Sequence, residues 1–315
     1  MSECRLPVPA MTKDDRTAFE TALFARAAAI EILLRQILDV RPLSGEIARP
    51  ERLMAAMRHG VLNGGKRLRP FLVMEGAALF SADGEAALRV AAALECVHCY
   101  SLIHDDLPSM DDDDLRRGQP TVHRAFDEAT AILVGDALLT LAFDIIADEA
   151  TALPAERRTA LVLALARAAG AGGMVGGQTL DLEAERKRPD EAGIIRLQAM
   201  KTGALIRFAC EAGAIVAGAP AADRERLAEF GSAIGLAFQL ADDLLDLTAD
   251  AEQMGKATKK DAAAGKATLA ALHGADWARE QLHGLIDQAH ALLEPYGERA
   301  DMLKAAATFV ATRNS

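Results

Sequence analysis

The sequence predicts an all-α protein, a single-domain bundle of about a dozen helices around a central cavity. Apolar residues recur at helical spacing, and no period-two run or short internal repeat stands out. Aromatic residues make up only 4% of a chain that is 51% hydrophobic, so Ala and Leu carry the apolar mass and favour helix over a β-sandwich. At 315 residues the chain can bury a sizeable core.

Residues 1–12 are expected to form a flexible N-terminus and residues 13–315 one domain. From Asp14 to Leu38, the residues Phe19, Leu23, Ala27, Ile30, Leu34 and Leu38 have helical spacing, with Asp14 and Asp15 near the N-cap. Pro42, Gly45 and Pro50 break the chain, and a helix runs from Glu51 to about Leu62. In Asn63-Gly64-Gly65-Lys66-Arg67-Leu68-Arg69-Pro70, two glycines free the backbone, three cations follow, and Pro70 suits the start of a helix over 71–80. That stretch reads equally as an anion site or as a solvated turn.

A long helix from Glu85 to Asp106 carries His98, Leu102 and Asp105 on one face. Pro108 should end or kink it near Leu107, so the exit loop must carry Asp111 back if Asp111 and Asp105 are to act together. Arg116, Arg117 and Gly118 follow the run Asp111–Asp114, and helices resume over 127–150 and 155–169. The glycine-rich stretch 170–178 reads as continuing helix with a kink or close backbone packing, and Glu183–Asp190 as a charged surface loop. A helix over 192–218 holds Lys201 and Thr202 within an apolar run. The helix from Glu225 to Leu247 carries Gln239, Asp242, Asp243 and Asp246 on one side. Asp250–Lys266 is a loop and candidate lid, and two or three helices finish the chain.

The net charge of -11, with no basic face, argues against nucleic acid as a partner. Cys4, Cys96, Cys99 and Cys210 do not make a disulfide framework, and Cys96 and Cys99 read as small core residues. The N-terminus lacks the apolar core of a secretory signal, and no uncharged apolar run reaches the roughly 20 residues of a membrane span. A cytoplasmic protein is expected.

Asp105 and Asp106 lie in one apolar helix and Asp242 and Asp243 in another, where unpaired carboxylates are costly. Divalent metal is the simplest compensation. Mg²⁺ fits an oxygen-only donor set and bridges one or two carboxylates to substrate phosphates, whereas His/Cys spacing for zinc is absent. Such a site suits loss of a diphosphate leaving group, with an apolar interior sheltering the carbocation. No Ser-His-Asp or Cys-His nucleophile and no nucleotide-binding glycine loop is visible.

These segments resemble a family. Gly64–Pro70, Ser101–Gly118, Gly173–Glu185, Lys201-Thr202-Gly203, Phe238–Asp246, Gly255-Lys256 and Lys266-Ala267-Thr268 resemble, in order, the motifs of short-chain polyprenyl diphosphate synthases, in particular the bacterial farnesyl-producing type. The resemblance implies the isoprenoid synthase fold and a homodimer. It implies Mg²⁺, more than one ion per site, held by Asp105, Asp106 and Asp111 on one side of an allylic diphosphate and by Asp242, Asp243 and Asp246 on the other. Arg116, Lys201, Lys256 and Lys266 would hold that diphosphate. Gly65, Lys66, Arg69, His98 and Arg117 would bind isopentenyl diphosphate without metal. Oxygens of Lys201, Thr202 and Gln239 would face the allylic cation, and the departing diphosphate would take the product's proton. His98 also reads as a satisfied core histidine, Asp112–Asp114 as solvated charges, and Asp136, Asp144 and Asp181 as weaker candidates.

The family resemblance makes Tyr100, with Ser101 after it, the residue that stops chain growth at farnesyl diphosphate, C15. Geranylgeranyl (C20) and geranyl (C10) diphosphate synthases are the alternatives. A class I terpene cyclase fits less well, because the second motif is Asp-Asp-x-x-Asp. A non-catalytic helical regulatory subunit is disfavoured by two intact aspartate motifs.

Overall fold

Local chemistry sets where the helices begin, in a computed structural model that describes residues 11–82, 84–254 and 268–312. Helix α1 (Lys13–Ile37) starts at Thr12, whose hydroxyl accepts from the Asp15 backbone N–H at 3.1 Å and donates to the Asp15 carboxylate at 2.6 Å. The hydroxyl satisfies one backbone donor that the first turn would otherwise leave open. The expected stripe of Phe19, Leu23, Ile30, Leu34 and Leu38 is buried.

The chain is all-α and forms two compact units. Of the described residues, one unit holds 21–82, 84–165 and 212–219. In it lie α2 (Glu51–Val61), α3 (Leu68–Ala78), α4 (Gly84–Asp105), α5 (Val122–Ala125), α6 (Glu128–Ala147) and most of α7 (Ala155–Ala169). Helix α4 is the axis of this unit. It packs against α3 and α6, and Val90 to Leu94, Cys96 and Val97 are fully buried. Asp127 caps α6, its carboxylate accepting from the Thr130 N–H at 2.7 Å.

The other unit holds the described residues 11–20, 166–211, 220–254 and 268–312. Its helices include α8 (Met174–Arg186), α9 (Glu191–Gln198), the first half of α10 (Ala204–Ala217), α11 (Ala221–Met254), α12 (Leu269–His273), α13 (Ala275–Leu293) and α14 (Asp301–Thr312). Buried Leu227, Phe230 and Ile234 of α11, Leu282 and Ile286 of α13, and Leu303 and Val310 of α14 build its core. Helix α11 packs on both α13 and α14.

Five expectations need correction. Helix α11 continues to Met254, so residues 250–254 of the expected loop are helical, and the rest of that candidate lid, 255–266, lies outside the described residues. Residues 170–178 do not continue the preceding helix: the chain breaks after Ala169 and restarts at Met174. Helix α8 then runs through Arg186, so the charged stretch 183–190 is helical in its first half. The helix over 192–218 is interrupted by one π-helical turn, Ala199–Gly203. A short antiparallel ladder, Leu115–Arg116 with Gln119–Pro120, appears where no strand was expected.

No uncharged run of membrane-span length exists, as expected, but three segments are apolar on average despite their charges. By length and composition Gly84–Asp105, Glu128–Ala147 and Ala155–Arg186 are long and apolar enough to cross a membrane. The most apolar window of the first is 72% buried inside the protein, so core packing accounts for it; the other two are 39% and 33% buried.

Candidate functional site

The exit from α4 turns back on itself. After Asp105 and the stop at Pro108, the Asp111 N–H donates to the Asp105 carbonyl at 2.8 Å, and the Asp113 N–H to the Asp106 carbonyl at 3.2 Å. Asp112 sits in the left-handed region at φ 52° to close the bend. Asp111 thus returns to Asp105, as the proline spacing required.

The ladder that follows aims two arginines. Leu115 pairs with Pro120 and Arg116 with Gln119, joined by Arg117 and Gly118 at φ 53° and 76°. Two consecutive left-handed residues make the tight turn that matches strand twist. Arg116 grips the Asp106 carboxylate at 2.7 Å through Nε and 2.5 Å through Nη2, and reaches Asp113 at 3.4 Å. Asp106 is 2% exposed; burial pushes its carboxyl up and Arg116 pulls it back. Asp105 is half-buried and Asp111 exposed.

Arg117, the next residue, faces the other way. Its Nη1 donates to Asn63 Oδ1 at 3.1 Å and to the Gly64 carbonyl. Its guanidinium fills the space a side chain at Gly65 would need, and Gly64 and Gly65 both have positive φ, 85° and 120°. Glycine is therefore required here for backbone angle and for close approach. Arg69 Nη1 lies 3.4 Å from His98 Nε2. Burial, then the charges of Arg69 and Arg117, hold the His98 pKa well below the usual imidazole range, so it is neutral at pH 7. The structure brings Arg69, His98 and Arg117 to one region, with exposed Lys66 on the loop that holds Arg117, but withdraws Arg67 from the three cations of that loop. Arg67 is buried and ion-paired to Glu95 of α4. Sequence reasoning missed Glu95. Its signal was an acid in an apolar run, three residues before His98.

Tyr100 and Ser101 lie one turn below the aspartates. Tyr100 is 5% exposed with its hydroxyl buried and unpartnered, and burial pushes the phenol up to about 12. Its ring meets His104 edge to face at 5.8 Å, and His104 Nε2 lies 3.1 Å from the Ile132 carbonyl of α6. The Ser101 hydroxyl is turned away, donating to the His98 carbonyl at 2.9 Å.

In the other unit, glycines bring α8 and α11 against the π-turn. A side chain at Gly177 would strike the backbone of Met200 and Lys201, and Gly235 packs on Gly203. The inserted residue of a π-turn displaces the helical register and favours functional positions; here the turn contains Lys201 and Thr202. Lys201 Nζ binds the Asp181 carboxylate at 2.5 Å. Asp243 is buried, and its carboxylate accepts from Gln198 Nε2 at 3.1 Å. Burial pushes the Asp243 carboxyl up to about 6, with the Gln198 bond opposing and Asp242 and Asp246 adding. The four side chains expected on one face of α11 are graded: Asp243 turns inward, Gln239 and Asp242 are half-buried, and Asp246 is exposed. Gln198, also missed, lies three residues before Lys201. Lys256 and Lys266, with Gly255, lie outside the described residues.

Among the described residues, no three His, Cys, Asp or Glu side chains converge closely enough to hold a metal by themselves. The donors are carboxylates, and the returning loop sets the Asp111 backbone against that of Asp105. An ion that takes one or two carboxylates and completes its shell with water and substrate phosphate fits that donor set.

Residues 50–306 match the sequence model of a family described as polyprenyl synthetase. Farnesyl diphosphate synthase of Escherichia coli (strain K12) is 45% identical over 271 residues, 83% of this chain and 89% of that protein. Geranylgeranyl pyrophosphate synthase 9, chloroplastic, of Arabidopsis thaliana is 38% identical over 309 residues, 96% of this chain and 84% of that protein. Among solved structures, an FPP/GFPP synthase from Zymomonas mobilis superposes with a TM-score of 0.84 at 45% identity, covering 94% of this chain and all of that one.

Proposed function

The chain belongs to the polyprenyl synthetase family and is a prenyltransferase, and from that premise we propose that it is a farnesyl diphosphate synthase. It condenses isopentenyl diphosphate head-to-tail with dimethylallyl and then geranyl diphosphate, releasing diphosphate at each step. One observation carries the reading. Arg116 turns to the Asp106 carboxylate while Arg117 turns to the glycine loop, so consecutive residues join a carboxylate-rich region to a carboxylate-poor cationic one. His98 and Asp105 lie on one face of α4, separated by seven residues or roughly 10 Å of rise. Two diphosphates with different charge partners suit that arrangement.

The division of labour follows from charge. Asp105, Asp106 and Asp111 would hold Mg²⁺ on the allylic diphosphate, as would Asp242, Asp243 and Asp246, and Arg116, Lys201, Lys256 and Lys266 would neutralise its remaining charge. Mg²⁺ supplies stabilisation of the negative charge on the departing group. Lys66, Arg69 and Arg117 hold isopentenyl diphosphate by cations alone, with Gly65 giving room and neutral His98 donating or accepting without adding charge. Carbonyl and hydroxyl oxygens at Lys201, Thr202 and Gln239 face the allylic cation after the C–O bond breaks. The double bond of isopentenyl diphosphate then forms the new C–C bond, and the released diphosphate removes the proton.

Mg²⁺-dependent release of diphosphate from isopentenyl plus geranyl diphosphate tests the reading; no release would overturn it. Chromatography of the dephosphorylated product checks C15 against the C20 reading that the geranylgeranyl relatives favour. Tyr100→Ala removes a buried ring and is expected to lengthen the product; an unchanged C15 profile would remove Tyr100 as the floor.

A pH effect is also expected. With the Asp243 carboxyl near 6, protons compete with Mg²⁺ below that pH. The half-saturating Mg²⁺ concentration should rise about tenfold per unit as pH falls below about 6, and flatten above it, in titrations of activity against Mg²⁺. A homodimer in the cytoplasm completes the proposal. Exposed Ile132 and Leu133 on α6 support association, to be checked by sedimentation.

A further inference from the structure

The Arg67–Glu95 pair is expensive to build. Both side chains are 2% exposed, and burying two charges costs about as much as their attraction returns, so such a pair is a poor device for stability alone. Its connections suggest another purpose. Arg67 stands at the start of α3 in the left-handed region, φ 52°, and makes no cap with its side chain. The guanidinium instead turns inward. Nη2 donates to the Val61 carbonyl at the end of α2 at 2.6 Å, and Nη1 binds the Glu95 carboxylate and lies 4.0 Å from Cys99 Sγ. One side chain thus ties the end of α2, the start of α3 and the middle of α4.

The tied loop, 62–66, is the one whose Asn63 and Gly64 oxygens hold Arg117. Lys66 and Arg69 flank Arg67, and Glu95 precedes His98 by one helical turn on α4. An unusual backbone angle persists only where surrounding contacts over-determine it. Here those contacts are the ion pair and the Val61 carbonyl.

We propose that Arg67 and Glu95 are positioning residues for the metal-free diphosphate site: the buried pair holds the left-handed turn that sets Lys66, Arg69 and Arg117 at one spacing. It thereby determines affinity for isopentenyl diphosphate and not for the allylic substrate. This rests on the reading of Lys66, Arg69 and Arg117 given above.

The test uses the full chain with Glu95→Gln, Arg67→Lys and the double variant Arg67→Met/Glu95→Met. Glu95→Gln and Arg67→Lys are each expected to raise KM for isopentenyl diphosphate about tenfold or more, because small displacements of binding groups are costly, and to leave KM for geranyl diphosphate within about twofold. The double apolar variant should regain thermal stability relative to Glu95→Gln without regaining the wild-type KM. A fall in melting temperature with KM for isopentenyl diphosphate unchanged, equal rises in both KM values, or a wild-type KM in the double variant would each overturn the proposal. If Glu95→Gln does not fold, the double variant decides by the same criterion. Calorimetry with inorganic diphosphate in Mg²⁺-free buffer separates the two readings. An inactive wild type sinks the proposed reaction, whereas equal diphosphate affinity of wild type and double variant sinks the positioning role.

Discussion

Asp105→Asn is expected to lower kcat with geranyl diphosphate by about 10³-fold, near 4 kcal/mol of transition-state stabilisation. Asparagine keeps the size of the side chain and leaves intact the Asp105 carbonyl that accepts from the Asp111 N–H. It removes the negative charge. A group that holds metal on a leaving group acts most strongly as that group departs, so the loss should fall on kcat. KM for isopentenyl diphosphate should change less than about twofold, since Lys66, Arg69 and Arg117 are independent of metal. Steady-state kinetics with each substrate varied in turn checks this, with circular dichroism to confirm the fold. A variant with wild-type kcat would remove Asp105 from the metal site.

Gly177→Val is expected to be as damaging by a different route. A side chain at Gly177 would strike the Lys201 N and Cα and the Met200 carbonyl carbon, none of which can swing aside as a side-chain tip can. Overpacking of this kind costs about 3 kcal/mol, and relief would have to come from moving the π-turn. That turn carries Lys201 and Thr202, so a lowered melting temperature should accompany a fall in kcat of about 10²-fold. Gly284→Ala, on α13 with open space at its would-be side chain, is the control expected to lose neither. A Gly177→Val protein of normal stability and rate would show that the α8 contact does not hold the turn.

Much of this was legible in the chain. Helix spacing located α1, α2, α4 and α7 to within a residue or two, because an amphipathic stripe and a proline or cap leave few alternatives. Pro108 announced the return of Asp111, since a helix cannot pass it and the acidic run needed a route back. Glycine at 170–177 signalled close backbone approach, though not that the helix would break there. The π-turn at Lys201 had no signature at all, because its extra residue is stabilised by packing against Gly177 and Gly235, far away in the chain. The Arg117-Gly118 turn was hidden by two-residue strands too short to show alternation.

The division between the two sources has a physical basis. Composition, period and the spacing of Asp, Lys, Arg and Gly determined the helical class, the family and the residue types available for diphosphate chemistry, because each is a property of neighbours in the chain. Which charges are open and which are spent was decided only by tertiary structure. Arg67 looked like one of three equivalent cations, and Asp243 like one of a row of equivalent carboxylates. Burial beside Glu95 turned the first into an anchor, and burial beside Gln198 raised the pKa of the second. Desolvation and pairing depend on what packs around a charge in space, and no local pattern in the chain records that.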